Sequence, residues 1–304
     1  MGFSITFLGT GAATPTLRRG LSATVANVDE KLCLFDCGEA TQIQMKRFKV
    51  KALHIQHIFI SHLHGDHFFG LVGLLFTYHI GKRKNELHVY GPPLLEEILR
   101  IQMGISVKEL NYPLVFHPLS SQNLEMVCEE DNFTVSAFPL QHRLPAYGFL
   151  LKEKERPRKV LHQFIEDYHP HYTDIVRIKS GEDYVLPDGR ILSNEEITFP
   201  DPPISFAYCF DTAFYAPIAE VLKNVDLLYH EATFMHDKAE LAAEKGHTTT
   251  IQAATIAKKA LAKRLMLGHI SSRYRNLDSF LNEARNIFSE TYLAEDGMTI
   301  TLRK

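Results

Sequence analysis

The stretch SHLHGDH, residues 61–67, places three histidines and an aspartate in seven positions, directly behind the apolar run HIFI at 57–60. Neutral imidazole and carboxylate are the side chains that bind zinc at roughly 2.0–2.2 Å. In an extended segment alternate side chains share a face, so His62 and His64 can meet one ion. Gly65 is expected to let the backbone turn tightly, sending Asp66 and His67 toward a second ion. Three further ligand types follow apolar runs of their own: His142 after FTVSAFPL, Asp211 after ISFAYCF and His269 after LMLG. The seven sort into His62, His64 and His142 for one metal and Asp66, His67 and His269 for the other, with Asp211 bridging. Metals paired roughly 3.5–4 Å apart serve phosphoester and amide hydrolysis. A single-metal site is the competing arrangement.

The elements that must position these side chains read as an α/β alternation. Expected strands are Ser4–Leu8, Ala23–Val28, Lys31–Phe35, His57–Ile60, His88–Tyr90, Phe133–Phe138, Ile204–Phe210, Asp226–Tyr229 and Leu265–Leu267. Expected helices are Ala40–Phe48, Leu94–Met103, Ala216–Lys223, Thr249–Ala262 and Leu277–Ile287. Four strands thus end in a His or Asp, and the C-terminal edge of an α/β sheet is where ligands gather. Isolated histidines such as His54, His79, His88 and His117 read as surface or satisfied core residues.

The chain has 304 residues, 45% of them hydrophobic, which suits one large α/β domain. Its net charge of −3 argues against coating nucleic acid through bulk charge and leaves room for a local basic patch. Four cysteines with no C-x-x-C pair give no disulfide framework, and a reducing cytoplasm is the expected compartment. The longest apolar run, Leu71 to Phe76, is too short to span a bilayer, and the N-terminus has no cationic leader. One region departs from the alternation. From Lys152 to about Pro203 the chain is polar and dotted with Pro and Gly, opening with KEKERPRK, five basic residues against two acidic. It reads either as a surface excursion or as a protruding binding arm inserted in the single domain 1–304.

The motif H-L-H-G-D-H at 62–67 resembles the H-x-H-x-D-H signature of the metallo-β-lactamase superfamily. FLGTGAATP at 7–15, LFDCGEATQ at 34–42, FISHLHGDHFFGL at 59–71, HEATF at 230–234, GHTT at 246–249 and HISSRY at 269–274 together resemble the ribonuclease Z family, from about residue 3 to 300. That resemblance implies a four-layer αββα sandwich with the metals at one edge, and two zinc ions per subunit, with manganese or another divalent metal as an alternative. It further implies an endoribonuclease that removes the 3′ trailer of precursor tRNA, working as a homodimer with residues 152–203 as the arm. The alternative is a hydrolase of the same fold acting on a small phosphodiester, lactone or thioester, or a non-catalytic RNA-binding protein that keeps a metal site for stability. Many family members carry P-S-K-x-R-N after the first glycine turn; here residues 15–20 read PTLRRG, with Leu17 at the lysine position and Gly20 at the asparagine position. The difference bears on transcripts that already encode CCA.

Under this resemblance Asp66 binds a metal and orients the attacking water, and His247, paired with Glu231, is the general acid. Asp36 is expected to orient the metal-binding loop, with a buried loop-capping aspartate as the alternative, and His230 to stand behind the ligands, with a direct role as its alternative. Arg273, Thr248 and Thr249 are candidates for contact with substrate phosphate, and Arg18 and Arg19 weaker ones.

Overall fold

Apolar residues run almost unbroken along the central strands, which is what a sheet covered on each side requires. In the computed structural model, which describes residues 2–104 and 110–303, two such sheets stack face to face. The first orders its strands Thr299–Arg303, Phe3–Gly9, Ala23–Val28, Lys31–Phe35, Ile55–Phe59, Leu87–Gly91 and Leu114–Pro118. The second orders Thr291–Leu293, Leu265–Gly268, Leu227–Glu231, Ser205–Cys209, Ala146–Glu153, Phe133–Leu140 and Glu125–Glu129. In each sheet a run of parallel strands carries the site: Lys31–Phe35 through Leu114–Pro118 in the first, and Ser205–Cys209 through Thr291–Leu293 in the second.

The alternation of faces along each strand sorts side chains between three apolar layers. Phe3, Ile5, Phe7, Cys33 and Phe35 of the first sheet meet Phe149, Phe206, Tyr208 and Tyr229 of the second in a core between the sheets. Their neighbours Leu32 and Leu34 point the other way, onto the helices Leu71–Ile80 and Leu94–Met103. Ala207 and Cys209 face the helices Thr250–Lys259 and Asp278–Arg285 on the far side. The result is the αββα sandwich. All four cysteines are buried and free. Among the described residues no helix is long and apolar enough to cross a membrane.

Element ends differ from the sequence reading by a few residues, and several elements are additional. The helix Leu71–Ile80 hides in a run so apolar that its period is blurred, although its buried residues Leu71, Leu74, Leu75 and Tyr78 keep helical spacing. Leu114–Pro118, Glu125–Glu129 and Thr299–Arg303 lie at sheet edges, where mixed side chains weaken the period-two signal. Residues 153–203 form a separate compact unit. It has a small core of Phe164, Ile178 and Ile197, with Val160, Tyr184 and Leu192 packed against it, which its polar composition did not suggest. Its helices His162–Tyr168, Tyr172–Lys179 and Asn194–Ile197 carry that core.

Candidate metal centre and its acid–base pair

Asp36 ends the strand Lys31–Phe35 in a left-handed conformation, φ 56°, and its carboxylate is the hub of the loop that follows Ile55–Phe59. Its Oδ1 accepts from Ser61 N at 2.7 Å; its Oδ2 accepts from Ser61 Oγ at 2.8 Å, His67 Nδ1 at 2.7 Å and Tyr208 OH at 2.7 Å. Backbone bonds brace the same loop: Cys37 N donates to His67 O at 2.7 Å and Gly70 N to Cys37 O at 2.9 Å. The helix Gly65–Phe68 then carries Asp66 and His67. Gly65 opens that helix with a φ that is not positive. It is needed for room: a Cβ there would lie 2.3 Å from the ring of Phe69.

The ring partners fix which nitrogen of each histidine carries its proton. Ser61 gives its hydroxyl proton to Asp36, so it accepts from His62 Nδ1 at 3.0 Å. Thr233 gives its own to Glu231 Oε2 at 2.7 Å, so it accepts from His269 Nδ1 at 2.9 Å. His142 Nδ1 donates to Gly246 O at 2.8 Å, and His67 Nδ1 to Asp36. In their neutral forms these four rings turn a lone pair on Nε2 into the cleft. His62 Nε2 stands 3.0 Å and His142 Nε2 3.2 Å from His64 Nδ1, and His67 Nε2 stands 3.3 Å from His269 Nε2. A cation among these nitrogens would accept the lone pairs that converge there. Their spacing approaches the ligand–ligand edge of a tetrahedral zinc, roughly 3.4 Å for bonds of about 2.1 Å.

Two ligand sets converge, His62, His64, His142 with Asp211, and Asp66, His67 with His269. Asp211 Oδ2 lies 3.8 Å from His62 Nε2 and 3.6 Å from His67 Nε2, within reach of both. Its Oδ1 is buried without a hydrogen bond, although His269 Nδ1, committed to Thr233, lies 3.2 Å away. An orphaned buried carboxylate oxygen among inward lone pairs is a donor set that fits two divalent cations. His269 sits in the left-handed region at φ 54°, a conformation that non-glycine residues adopt mainly at turns and functional sites.

The electrostatics follow from burial and from this crowding. Burial and then the charge of neighbouring rings lower His62, and burial and His142 lower His64, keeping both neutral and able to ligate. Burial alone would raise the Asp66 and Asp211 carboxyls, but facing histidines outweigh it and hold both below the ordinary range. Burial opposes charge on His67, and Asp211, Asp66 and Asp36 overcome it. Those carboxylates are the negative charge a cation would neutralise.

Beside the ligands stands a second device. Glu231 closes the strand Leu227–Glu231, fully buried, and Thr212 N holds its Oε1 at 2.8 Å. The same Oε1 accepts from His247 Nδ1 at 3.0 Å. Burial alone would lower His247, but the charges of Glu231 and then Asp211 push it up to about 9. His247 also groups with Asp211 and His269 at ligand-like separation, with its Nδ1 committed to Glu231.

Other expected residues fall in different places. His230 is buried and gives its Nδ1 proton to the Glu231 carbonyl at 2.7 Å, outside the ligand sets. Thr248 and Thr249, expected at phosphate, are fully buried: Thr248 donates to Thr212 O at 2.5 Å and Thr249 caps the helix Thr250–Lys259. Arg19 is likewise committed, to Thr10 Oγ1 and to Ala294 O at 2.7 Å. Arg273 does line the cleft, its guanidinium 4.9 Å above the Phe234 ring, and Arg18 is exposed beside a neighbouring hollow of about 630 Å³. Tyr208, Ser61 and Thr233, which hold ligands or their partners, carried no signal in the sequence reading beyond their place near strand ends.

Two stacked sheets with this ligand edge define the metallo-β-lactamase fold. YhfI from Bacillus subtilis, a metallo-β-lactamase fold protein, superposes with a TM-score of 0.72 over 99% of this chain and 100% of its own at 18% identity, a likeness of fold. Human tRNase Z, short form, superposes with a TM-score of 0.70 at 32% identity over 98% of each chain. Residues 3–158 match the family described as Anti-Pycsar protein Apyc1, a stretch that ends before Asp211, Glu231, His247 and His269. Ribonuclease Z of Bacteroides fragilis is 42% identical over 301 residues, 99% of this chain and 99% of its own. The chain belongs to the ribonuclease Z family, and its first half falls within that second family as well.

Proposed function

We propose that this protein is a metal-dependent endoribonuclease that cuts the phosphodiester after the acceptor stem of precursor tRNA and releases the 3′ trailer. The observation that carries the reading is the Glu231–His247 pair, 3.0 Å apart, beside two convergent ligand sets. Hydrolysis of a small activated ester does not need a strong proton donor for its leaving group, whereas a departing ribose 3′ oxygen does. His62, His64 and His142 would hold one ion, Asp66, His67 and His269 the other, and Asp211 both. Zinc suits these ligands, and manganese accepts the same set. When bound, such a pair acidifies a water toward neutrality and screens the charge growing on the phosphate oxygens.

The chain's own residues do the rest. Ala13 N donates to Asp66 Oδ2 at 2.7 Å and fixes the carboxylate, which orients the attacking water and accepts its proton. Glu231 holds His247 by its Nδ1 and favours the protonated ring, which gives its proton to the leaving 3′ oxygen. Attack in line with departure sets water and leaving group on opposite sides of the phosphorus, with Asp66 and His247 supplied by opposite sheets. The products are a tRNA with a 3′ hydroxyl and a trailer with a 5′ phosphate. Residues 153–203 would grip the tRNA body: Arg156, Arg158, Lys179 and the exposed Tyr172 line a hollow of about 650 Å³ within that unit. A homodimer working in the cytoplasm completes the reading. Incubation with a 3′-extended precursor tRNA, set against bis-p-nitrophenyl phosphate, tests it. Cutting at the acceptor stem supports it; turnover of the small diester alone transfers the site to a small-molecule hydrolase.

A further inference from the structure

The metal cleft, about 700 Å³, has one open aromatic face, and no step so far uses it. Phe69 lines the cleft beside His64, Gly65 and Asp66, and 61% of its surface is exposed. A singly exposed phenylalanine is ordinary on a protein surface. This one differs in being held. Phe69 N donates to Gly65 O at 3.0 Å, the ring edge lies where a Cβ of Gly65 would come within 2.3 Å, and the buried Phe68 meets it edge-on at 5.0 Å and 69°. The absence of a side chain at Gly65 therefore seats the ring on the helix that carries Asp66 and His67. The other aromatic of the cleft, Phe234, is buried beneath Arg273.

We infer that Phe69 is a stacking platform for the base of the first trailer nucleotide. The inference rests on the nuclease reading. Phe69 stands on the Asp66 side, and His247, on the other sheet, marks where the tRNA 3′ oxygen departs. The phosphate stays with the trailer, so the tRNA nucleoside leaves on the His247 side, and the trailer's first nucleoside, carried on one of the remaining phosphate oxygens, is the one that can reach the Phe69 face. Base-on-aromatic stacking is indifferent to base identity, which suits trailers of any sequence.

The test uses two precursor tRNAs that differ only in the first trailer nucleotide, normal or abasic, with wild-type protein and with Phe69→Ala, Phe69→Leu and Phe69→Tyr. Bound metal is counted in every sample. Wild-type and Phe69→Tyr are expected to show a KM about ten-fold higher on the abasic precursor. Phe69→Ala and Phe69→Leu, with full metal, should show that higher KM on the normal precursor and no further rise on the abasic one. Equal KM values for wild-type on both precursors, wild-type behaviour of Phe69→Leu, or multiplied effects of substitution and abasic site would overturn the inference and leave the nuclease reading standing. Failure of wild-type to cut either precursor overturns both.

Discussion

His247 and Asp211 lie 3.7 Å apart, yet their removal should have separable consequences. Asp211 is grouped with His62, His64 and His142 and lies within reach of His67, so Asp211→Ala should release metal, which elemental analysis reads directly. His247→Ala should keep both ions and lose about 10²-fold or more in turnover, the range of a general acid. If His247→Ala emptied the site instead, the residue would be a ligand, as its grouping with Asp211 and His269 also permits. Tyr208→Phe isolates a subtler contact. It removes one hydroxyl from Asp36, keeps the ring stacked on Phe210 at 4.6 Å and leaves His67 with a less firmly held partner. Weaker metal retention against a chelator, by about 10-fold or more, is the expected result. The candidate ligands could be named at this scale because ligation demands a particular residue type. The partners of those ligands could not, because serine, threonine and tyrosine are common and only the fold brings Ser61, Thr233 and Tyr208 to the rings.

Among elements, the loop after Lys31–Phe35 and the helix start at Leu71 touch through glycines. A Cβ on Gly70 would lie 2.0 Å from Gly38 O, backbone against backbone, with no flexible side chain to yield. Gly70→Ala should therefore destabilise the fold by about 1–3 kcal/mol and lower metal occupancy, measured by denaturant titration and elemental analysis. At the other end of the strand Ile55–Phe59, Glu130 accepts from Lys31 Nζ at 2.5 Å and from His57 Nε2 at 2.9 Å. Burial would raise the Glu130 carboxyl, but these two donors outweigh it and hold the pKa below its ordinary value. A depressed folded pKa adds stability above the unfolded value near 4.5, and that increment is lost as pH falls through the folded value. Thermal scans should show wild-type losing more stability than Glu130→Gln between about pH 5 and pH 3, by roughly 1 kcal/mol or less for a partly buried pair that water still screens. Central strands such as Ala23–Val28 and Lys31–Phe35 were legible because both faces are buried and their runs are apolar. Thr299–Arg303 was not, since an edge strand can be as polar as a loop.

At the scale of the whole molecule, residues 153–203 leave the sandwich between paired strands, for Lys152 and Ser205 are partners in register. Joining them by a short glycine linker should preserve the sandwich and its metal content, judged by thermal unfolding and elemental analysis. Turnover of bis-p-nitrophenyl phosphate should survive, while affinity for precursor tRNA falls and its dependence on salt flattens. The four-layer architecture came from a motif rather than from periodicity, because composition is shared by many α/β folds. The small core of residues 153–203 was hidden by charged and turn-forming residues around Phe164, Ile178 and Ile197. The most direct test of the account is cleavage of a 3′-extended precursor tRNA, with the cut mapped to the nucleotide and both new ends characterised. A single cut after the acceptor stem, leaving a 3′ hydroxyl on the tRNA and a 5′ phosphate on the trailer, is the predicted result. A 2′,3′-cyclic phosphate on the tRNA, or no cut by fully metal-loaded protein, would contradict it.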